Sequence, residues 1–301
     1  MNRVGVLVMA YGTPTTPEDV ETYYTRIRHG RPPTPEQLTD LTRRYNAIGG
    51  ISPLAERTAA QVDGIRQALE LIAPGEYAVR FGSKYEPPML EETASSFARE
   101  GFDRVVGLVL APQSSMSTVQ YMSRASAALD GQCEFIQIGA WWDDPIFVQL
   151  IADRVRAALA TIPIERHSTT EVIFSAHSLP TKILDAGDTY PEQLRESARM
   201  AASLAGITAW DIAWQSAGRT ADPWIGPDIL DVLRQKKANG VSDVVSCPIG
   251  FVSDHLEVLF DIDIEARAVA DEIGLGLVRT ASLNADPVFL LMLADLVRRN
   301  T

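Results

Sequence analysis

One histidine and a row of acids are the residues of this 301-residue chain whose types and spacing suit metal chemistry. His177 lies in SAHSLP, where an apolar, strand-like run stops and Ser178 and Pro180 force a turn. Its ring is therefore expected at a sheet edge rather than inside the core. Glu257, Asp261 and Glu265 recur every four residues in SDHLEVLFDIDIEARAVADEI. On a helix that spacing stacks three carboxylates along one face, with Asp254 one turn earlier. Like charges so placed cost stability, the helix dipole favours acids only in the first turn, and Arg267 alone offers a nearby base. The plain reading is a solvated acidic face; the chemical one is a path for a hydrated cation, lined by oxygen ligands suited to it. One imidazole and one carboxylate hold a divalent metal while leaving coordination positions open, and both can accept protons that the metal displaces. Such a set implies transfer of a metal, not its storage.

A second cluster has the opposite sign. TRIRHGRP, residues 25–32, brings Arg26, Arg28 and Arg31 close together, and LTRRYNAIGGISP adds Arg43 and Arg44. Surface bases are usually just solvated. Beside Pro and Gly turns in an acidic protein, they also suit fixing the carboxylates of a ligand by charge-assisted hydrogen bonds.

The elements that must position these groups alternate throughout: short β-rich runs, then longer amphipathic ones, the pattern of parallel sheets covered by helices on both faces. The strands fall into two sets of four, at 4–10, 77–82, 104–111 and 133–139, and at 171–177, 210–216, 243–249 and 275–280. Helices are expected at 55–71, 145–160, 191–205 and 287–299, among others. VLVMAYGTP opens the first set and VIFSAHSLP the second. This weak internal repeat puts Tyr11 and His177 at equivalent places, the carboxyl ends of the first strands of two doubly wound units, where ligands bind in such folds. If the halves face each other, Tyr11 and His177 approach one flat ligand from opposite sides.

At 301 residues two domains are the default. A net charge of -12, from 27 bases against 39 acids, argues against a nucleic-acid binder. Cys133 and Cys247 read as buried free thiols, too few for a Cys-ligated iron–sulfur cluster or a disulfide framework. The first apolar run, 4–10, reads as a core strand rather than a signal peptide, and no run approaches a membrane span. A cytoplasmic protein is the expectation. Neither a Gly-x-Gly-x-x-Gly turn nor a phosphate-binding Gly-x-x-x-x-Gly-Lys-Ser/Thr loop follows any strand, so nucleotide cofactors lose support.

LVMAYGTP, YYTRIRHGRPP, RRYNAIGGISPLAERT, SAHSLP, WQSAGRTADPWIGPDI and CPIGFVSDHLEVLFDID together resemble the ferrochelatase family, in one order over nearly the whole chain. Within it they most resemble the coproporphyrin ferrochelatases of Gram-positive bacteria. The resemblance implies two Rossmann-like domains, each a four-stranded parallel sheet flanked by helices, with a porphyrin cleft between them. The domains would be 1–140, joined by a C-terminal helix at 285–301, and 141–284. His177 and Glu257 fall on the family's iron-binding and catalytic pair, Asp261 and Glu265 on its acidic line leading to the metal, and Tyr11 on the residue facing the metal across the ring. Arg28, Arg44, Tyr45 and Ser52 match positions that contact the porphyrin and its propionates. Met122 stands where the subgroup has a tyrosine whose hydroxyl touches a propionate, and His29 where a second arginine is usual.

The resemblance further implies iron as substrate, no permanently bound cofactor and no iron–sulfur cluster. It also implies a monomer without integral membrane association, in transient contact with the next enzyme of heme synthesis. The polar, basic segment 26–35 favours coproporphyrin III, with its four carboxylates, over protoporphyrin IX, the alternative that the same pair would serve. A non-catalytic tetrapyrrole carrier is the reading from another class, and the intact motifs around His177 and Glu257 argue against it.

Overall fold

The computed structural model describes residues 3–218, 220 and 222–301; Arg219 and Ala221, inside WQSAGRTADPWIGPDI, lie outside the described residues. The elements run β1 (Val4–Ala10), α1 (Val20–Ile27), α2 (Pro35–Ala47), α3 (Leu54–Ile72), β2 (Tyr77–Ser83), α4 (Leu90–Arg99), β3 (Arg104–Val109), α5 (Met116–Leu129) and β4 (Glu134–Ile138). They continue with α6 (Pro145–Leu159), β5 (Thr170–His177), α7 (Lys182–Asp185), α8 (Tyr190–Ala205), β6 (Trp210–Gln215), α9 (Ile229–Ala238) and β7 (Asp243–Cys247). Then come α10 (Leu256–Leu259), a π-helical turn (Asp261–Ala266), α11 (Arg267–Ile273), β8 (Gly276–Arg279) and α12 (Pro287–Arg299).

All ladders are parallel, in two sheets of equal topology: β2-β1-β3-β4 and β6-β5-β7-β8. A parallel strand covered on both faces has no polar side to show, so its sequence is a continuous apolar run. Val6, Leu7, Val8 and Met9 of β1 are fully buried, as are Ile173, Phe174, Ser175 and Ala176 of β5. In both sheets the chain crosses from the first strand to one side and then to the other. Tyr11 and His177 stand at the carboxyl ends of those first strands, where such sheets bind ligands. β7 stops at Cys247, short of the expected 249, because Pro248 has no N–H for the ladder.

The chain divides into two compact units. One runs up to Ala140 and includes residues 253–256 and 284–301; the other comprises 141–252 and 257–283. In the first, α12 packs on α3, and Gly64 permits the contact, since a Cβ there would lie 2.1 Å from Cδ1 of Leu290. Asp286 caps α12 by accepting from the N–H groups of Val288 and Phe289, with Pro287 opening the first turn. In the second, Ile262, Ala266 and Ala270 pack into one core with Leu233 of α9 and Leu277 of β8.

The acidic run departs from the single helix its spacing predicts. One α-helical turn at Leu256–Leu259 gives way to the π-helical turn Asp261–Ala266 before α-helix resumes at Arg267. The carbonyl of Phe260 accepts from the N–H groups of both Ile264 and Glu265, and the second, at 2.9 Å, is the five-residue bond that widens the turn. Asp254 precedes the helix and is not on its face. Its carboxylate accepts from Nδ2 of Asn284 at 2.9 Å, and its N–H donates to Oδ1 of Asn284. Arg267 donates to the carbonyl of Leu277 instead of neutralising the acids. That role falls to Arg279, which grips both carboxylate oxygens of Asp263 at 2.7 and 2.9 Å.

Candidate metal-handling site

His177 is the last residue of β5, opposite Gln215 of β6 in the parallel register. Its backbone is held from two sides: the Tyr190 hydroxyl donates to the His177 carbonyl at 3.1 Å, and the next N–H, of Ser178, donates to the Gln215 carbonyl at 2.7 Å. Burial foremost, then the charges of Glu257 and Asp188, raise the Tyr190 phenol above its ordinary value, so it remains a donor. The Trp224 ring lies tilted beside the imidazole, 6.4 Å between centroids.

Nδ1 of His177 is hydrogen-bonded to the Ser178 carbonyl. A carbonyl only accepts, so Nδ1 carries the proton and the neutral ring presents its lone pair at Nε2. That atom faces Oε1 of Glu257 at 3.6 Å, with about a third of each side chain open to solvent (32% and 36%). Burial works to lower the affinity of the ring for a second proton. The Glu257 carboxylate, the Ser178 carbonyl and Asp261 outweigh it and push the pKa up to about 9.

The acids are placed by the strand end beside them. The Glu257 carbonyl accepts from Nε2 of Gln215 at 2.9 Å. Ser216, in the left-handed region at φ 61°, turns its hydroxyl onto the carboxylate of Asp261, which is buried at 6% exposure. Glu265 is half-buried on the widened turn. Gly250 closes the site from behind: its N–H donates to the Ser175 carbonyl at 3.1 Å, and its missing Cβ is what allows the approach to Ala176. The fold thus brings His177 and Glu257 together, ties Asp261 to the neighbouring loop and leaves Asp254 elsewhere. Among the described residues no group of three or more His, Cys, Asp or Glu side chains is placed to hold a metal ion. The pair leaves most of an ion's coordination sphere open, a geometry for delivering a metal to other donors.

The remaining residues singled out in the sequence lie in the first unit. Tyr11 is 39% exposed, its ring edge-on to that of Tyr85 with centroids 4.8 Å apart. Arg28 ends α1 with its guanidinium 5.6 Å from the Tyr24 ring centroid and its Nε donating to the Arg31 carbonyl. Neither Arg28 nor Arg31 meets a carboxylate among the described residues, whereas Arg26 pairs with Glu86 at 2.8 Å and Arg44 with Asp40 at 3.0 Å. His29 turns the chain after α1 at φ 55°. Tyr45, Ser52 and Met122 are buried at 3 to 5% exposure. The Ser52 hydroxyl accepts from the Leu54 N–H at the start of α3. Met122 packs with Tyr121 in the core of the first sheet. Gln215, Ser216 and Tyr190 are not among the residues singled out by the sequence; the first two stand in WQSAG, at an expected strand end.

A family profile described as Ferrochelatase matches residues 3–301. The coproporphyrin III ferrochelatase of Halalkalibacterium halodurans is 44% identical over 302 residues, covering 99% of this chain and 97% of that protein. A ferrochelatase of Herpetosiphon aurantiacus is 41% identical, covering 98% of each. Among solved structures, the sirohydrochlorin chelatase of Bacillus subtilis subspecies spizizenii, in complex with cobalt, superposes with a TM-score of 0.57 at 11% identity, over 98% of this chain and 93% of that one. At that identity the likeness bears on the fold alone: two Rossmann-like units, each built on a four-stranded parallel sheet.

Proposed function

This chain belongs to the ferrochelatase family, and we propose on that premise that it inserts ferrous iron into coproporphyrin III, with His177 and Glu257 as the pair that handles the metal. The observation that carries the proposal is the pairing of a tautomer-locked imidazole, its Nε2 lone pair outward, with a carboxylate 3.6 Å away. Ferrous iron binds to Nε2 and the Glu257 carboxylate in its remaining water shell. As the pyrrole nitrogens replace those waters, two N–H protons leave the macrocycle. The carboxylate is the base for the first of them, and the imidazole takes the second at Nε2 once iron has left that nitrogen for the ring; both protons then pass on to solvent. Asp261 and Glu265 continue the run of oxygen ligands away from the pair and guide the cation in. Tyr11, exposed at the end of β1, is a contact for the macrocycle.

The choice of coproporphyrin rests on relatives that carry that name and on the uncompensated guanidinium groups of Arg28 and Arg31. Arg28 engages a propionate. Arg44 acts from its pairing with Asp40, and Tyr45, Ser52 and Met122, being buried, shape the floor behind the contact residues. The protein needs no resident cofactor on this reading, and iron is its substrate. It works as a cytoplasmic monomer that hands its product on by transient contact; no helix among the described residues is long and apolar enough to cross a membrane. Anaerobic iron insertion followed by absorbance, with coproporphyrin III and protoporphyrin IX in parallel, tests the assignment. Coproporphyrin III should be preferred by about tenfold or more in kcat/KM, equivalent to about 1.4 kcal/mol. Equal turnover of the two at low salt would contradict the substrate choice, and turnover of neither would contradict the activity.

A further inference from the structure

We propose that Gln215 is the positioning residue that sets the distance between Glu257 and His177; this rests on the reading that the pair handles the metal. Gln215 is 1% exposed and ends β6, opposite His177. Its side chain makes two hydrogen bonds of 2.9 Å, Nε2 donating to the main-chain carbonyl of Glu257 and Oε1 accepting from the hydroxyl of Ser175. The Glu257 carbonyl only accepts, so the amide can be oriented one way. The main-chain carbonyl of Gln215 accepts from the N–H of Ser178, the residue whose own carbonyl holds the His177 ring.

One residue is therefore bonded to both sides of the pair: to Ser175 on β5 and Ser178 just after it, which lie on either side of His177, and to Glu257, 42 positions further along the chain. Glu257 needs such an anchor. It sits in a helical turn of four residues, too short to be stable on its own, and the π-helical turn follows almost at once. An aliphatic side chain would fill the same space with no polar group to satisfy. A buried amide in its place specifies a geometry, because it stabilises only when its bonds are made. The next residue, Ser216, bonds the side-chain carboxylate of the next acid, Asp261, so Gln215 and Ser216, at and just after the end of β6, anchor the main chain of one acid and the side chain of another four residues on.

Gln215→Met keeps length and flexibility but can neither donate to Glu257 nor accept from Ser175; Ser175→Ala removes only the group that orients the amide. Both are compared with wild type and His177→Ala in anaerobic insertion of iron into coproporphyrin III, together with porphyrin affinity by fluorescence quenching and folding by circular dichroism. In Gln215→Met, kcat should fall about tenfold or more, as a misplaced reacting group demands, while porphyrin affinity and the folded spectrum are retained. Ser175→Ala should fall less, and the double variant no further than Gln215→Met alone, since Ser175 acts through Gln215. Wild-type kcat in Gln215→Met, or losses that multiply in the double variant, would overturn the proposal while an inactive His177→Ala left the underlying reading in place. An active His177→Ala would overturn that reading instead. Should Gln215→Met fail to fold, wild-type kcat and KM in Ser175→Ala overturn the proposal by themselves.

Discussion

Nε2 of His177 and Oε1 of Glu257 lie 3.6 Å apart, beyond a good hydrogen bond yet within reach of one shared ion, since two donors each roughly 2.1 Å from a metal can stand up to about 4.2 Å apart. The separation suits a pair that alternates between sharing a proton and sharing a cation. The imidazole tautomer is already set by Ser178.

The carboxylates should separate by kinetic parameter. Glu257→Gln preserves shape but removes the charge beside the metal, so kcat should fall about a hundredfold, the scale of a lost general base. Asp261→Asn and Glu265→Gln should chiefly raise KM for iron, as expected of groups that guide the cation without completing the reaction. Steady-state rates across iron concentrations check this, and equal loss of kcat at all three positions contradicts a separate entry path.

The pKa of His177, about 9 against 6.5 for an ordinary histidine, has two consequences of opposite sense. Below it Nε2 carries a proton and cannot bind metal, so insertion should accelerate from pH 7 towards 9; zinc serves as the oxidation-resistant ion for the measurement. Glu257→Gln removes the main cause of the elevation, and the midpoint should move to lower pH. Stability runs the other way. A raised folded-state pKa favours the folded protein fully below about pH 6.5 and loses that contribution as pH rises through about 9. The stability difference between wild type and His177→Ala, read from denaturant midpoints, should shrink over that window. A flat rate profile would contradict the assignment of Nε2.

Arg28 and Arg44 should not be equal. Arg44 is already paired with Asp40, whereas Arg28 meets no carboxylate among the described residues. Arg28→Ala should therefore erode the preference for coproporphyrin III more than Arg44→Ala does. The preference itself should decline from low salt to about 1 M, where the screening length is only about 3 Å. A larger effect of Arg44→Ala in competition assays would move the propionate contact to α2.

Gly250→Ala tests the close approach behind the site. The added Cβ would stand 2.4 Å from Cβ and 2.9 Å from Cα of Ala176, the residue before His177. The loop or the strand end must shift, at a cost of about 1–3 kcal/mol, and thermal unfolding should report it as a lower midpoint. An unchanged midpoint would mean that the approach is looser than the geometry states.

Most of the scaffold was legible in the sequence because parallel strands buried on both faces leave uninterrupted apolar runs, as VLVM and VIFSA do, each closed by a Pro-containing turn. The position of His177 followed from the same punctuation. The π-helical turn was not legible: its four-residue carboxylate spacing also fits an α-helix, and what distinguishes the two is one hydrogen bond from Glu265 to Phe260. Nor could spacing reveal the long-range partners, Ser216 with Asp261 and Arg279 with Asp263, which only the fold brings together. Asp40 and Arg44 stand four apart, a spacing that pairs them on a helix; no helix was expected there from the sequence, and α2, which brings them together, appears only in the fold.

The most direct test is a single-turnover measurement on His177→Ala with coproporphyrin III already bound. Porphyrin should bind this variant with wild-type affinity by fluorescence quenching, and mixing it anaerobically with ferrous iron should leave the absorbance of the metal-free porphyrin unchanged over the time in which the wild type converts it fully. Conversion at the wild-type rate would show that the imidazole does not handle the metal, and with it the account of the site would fall.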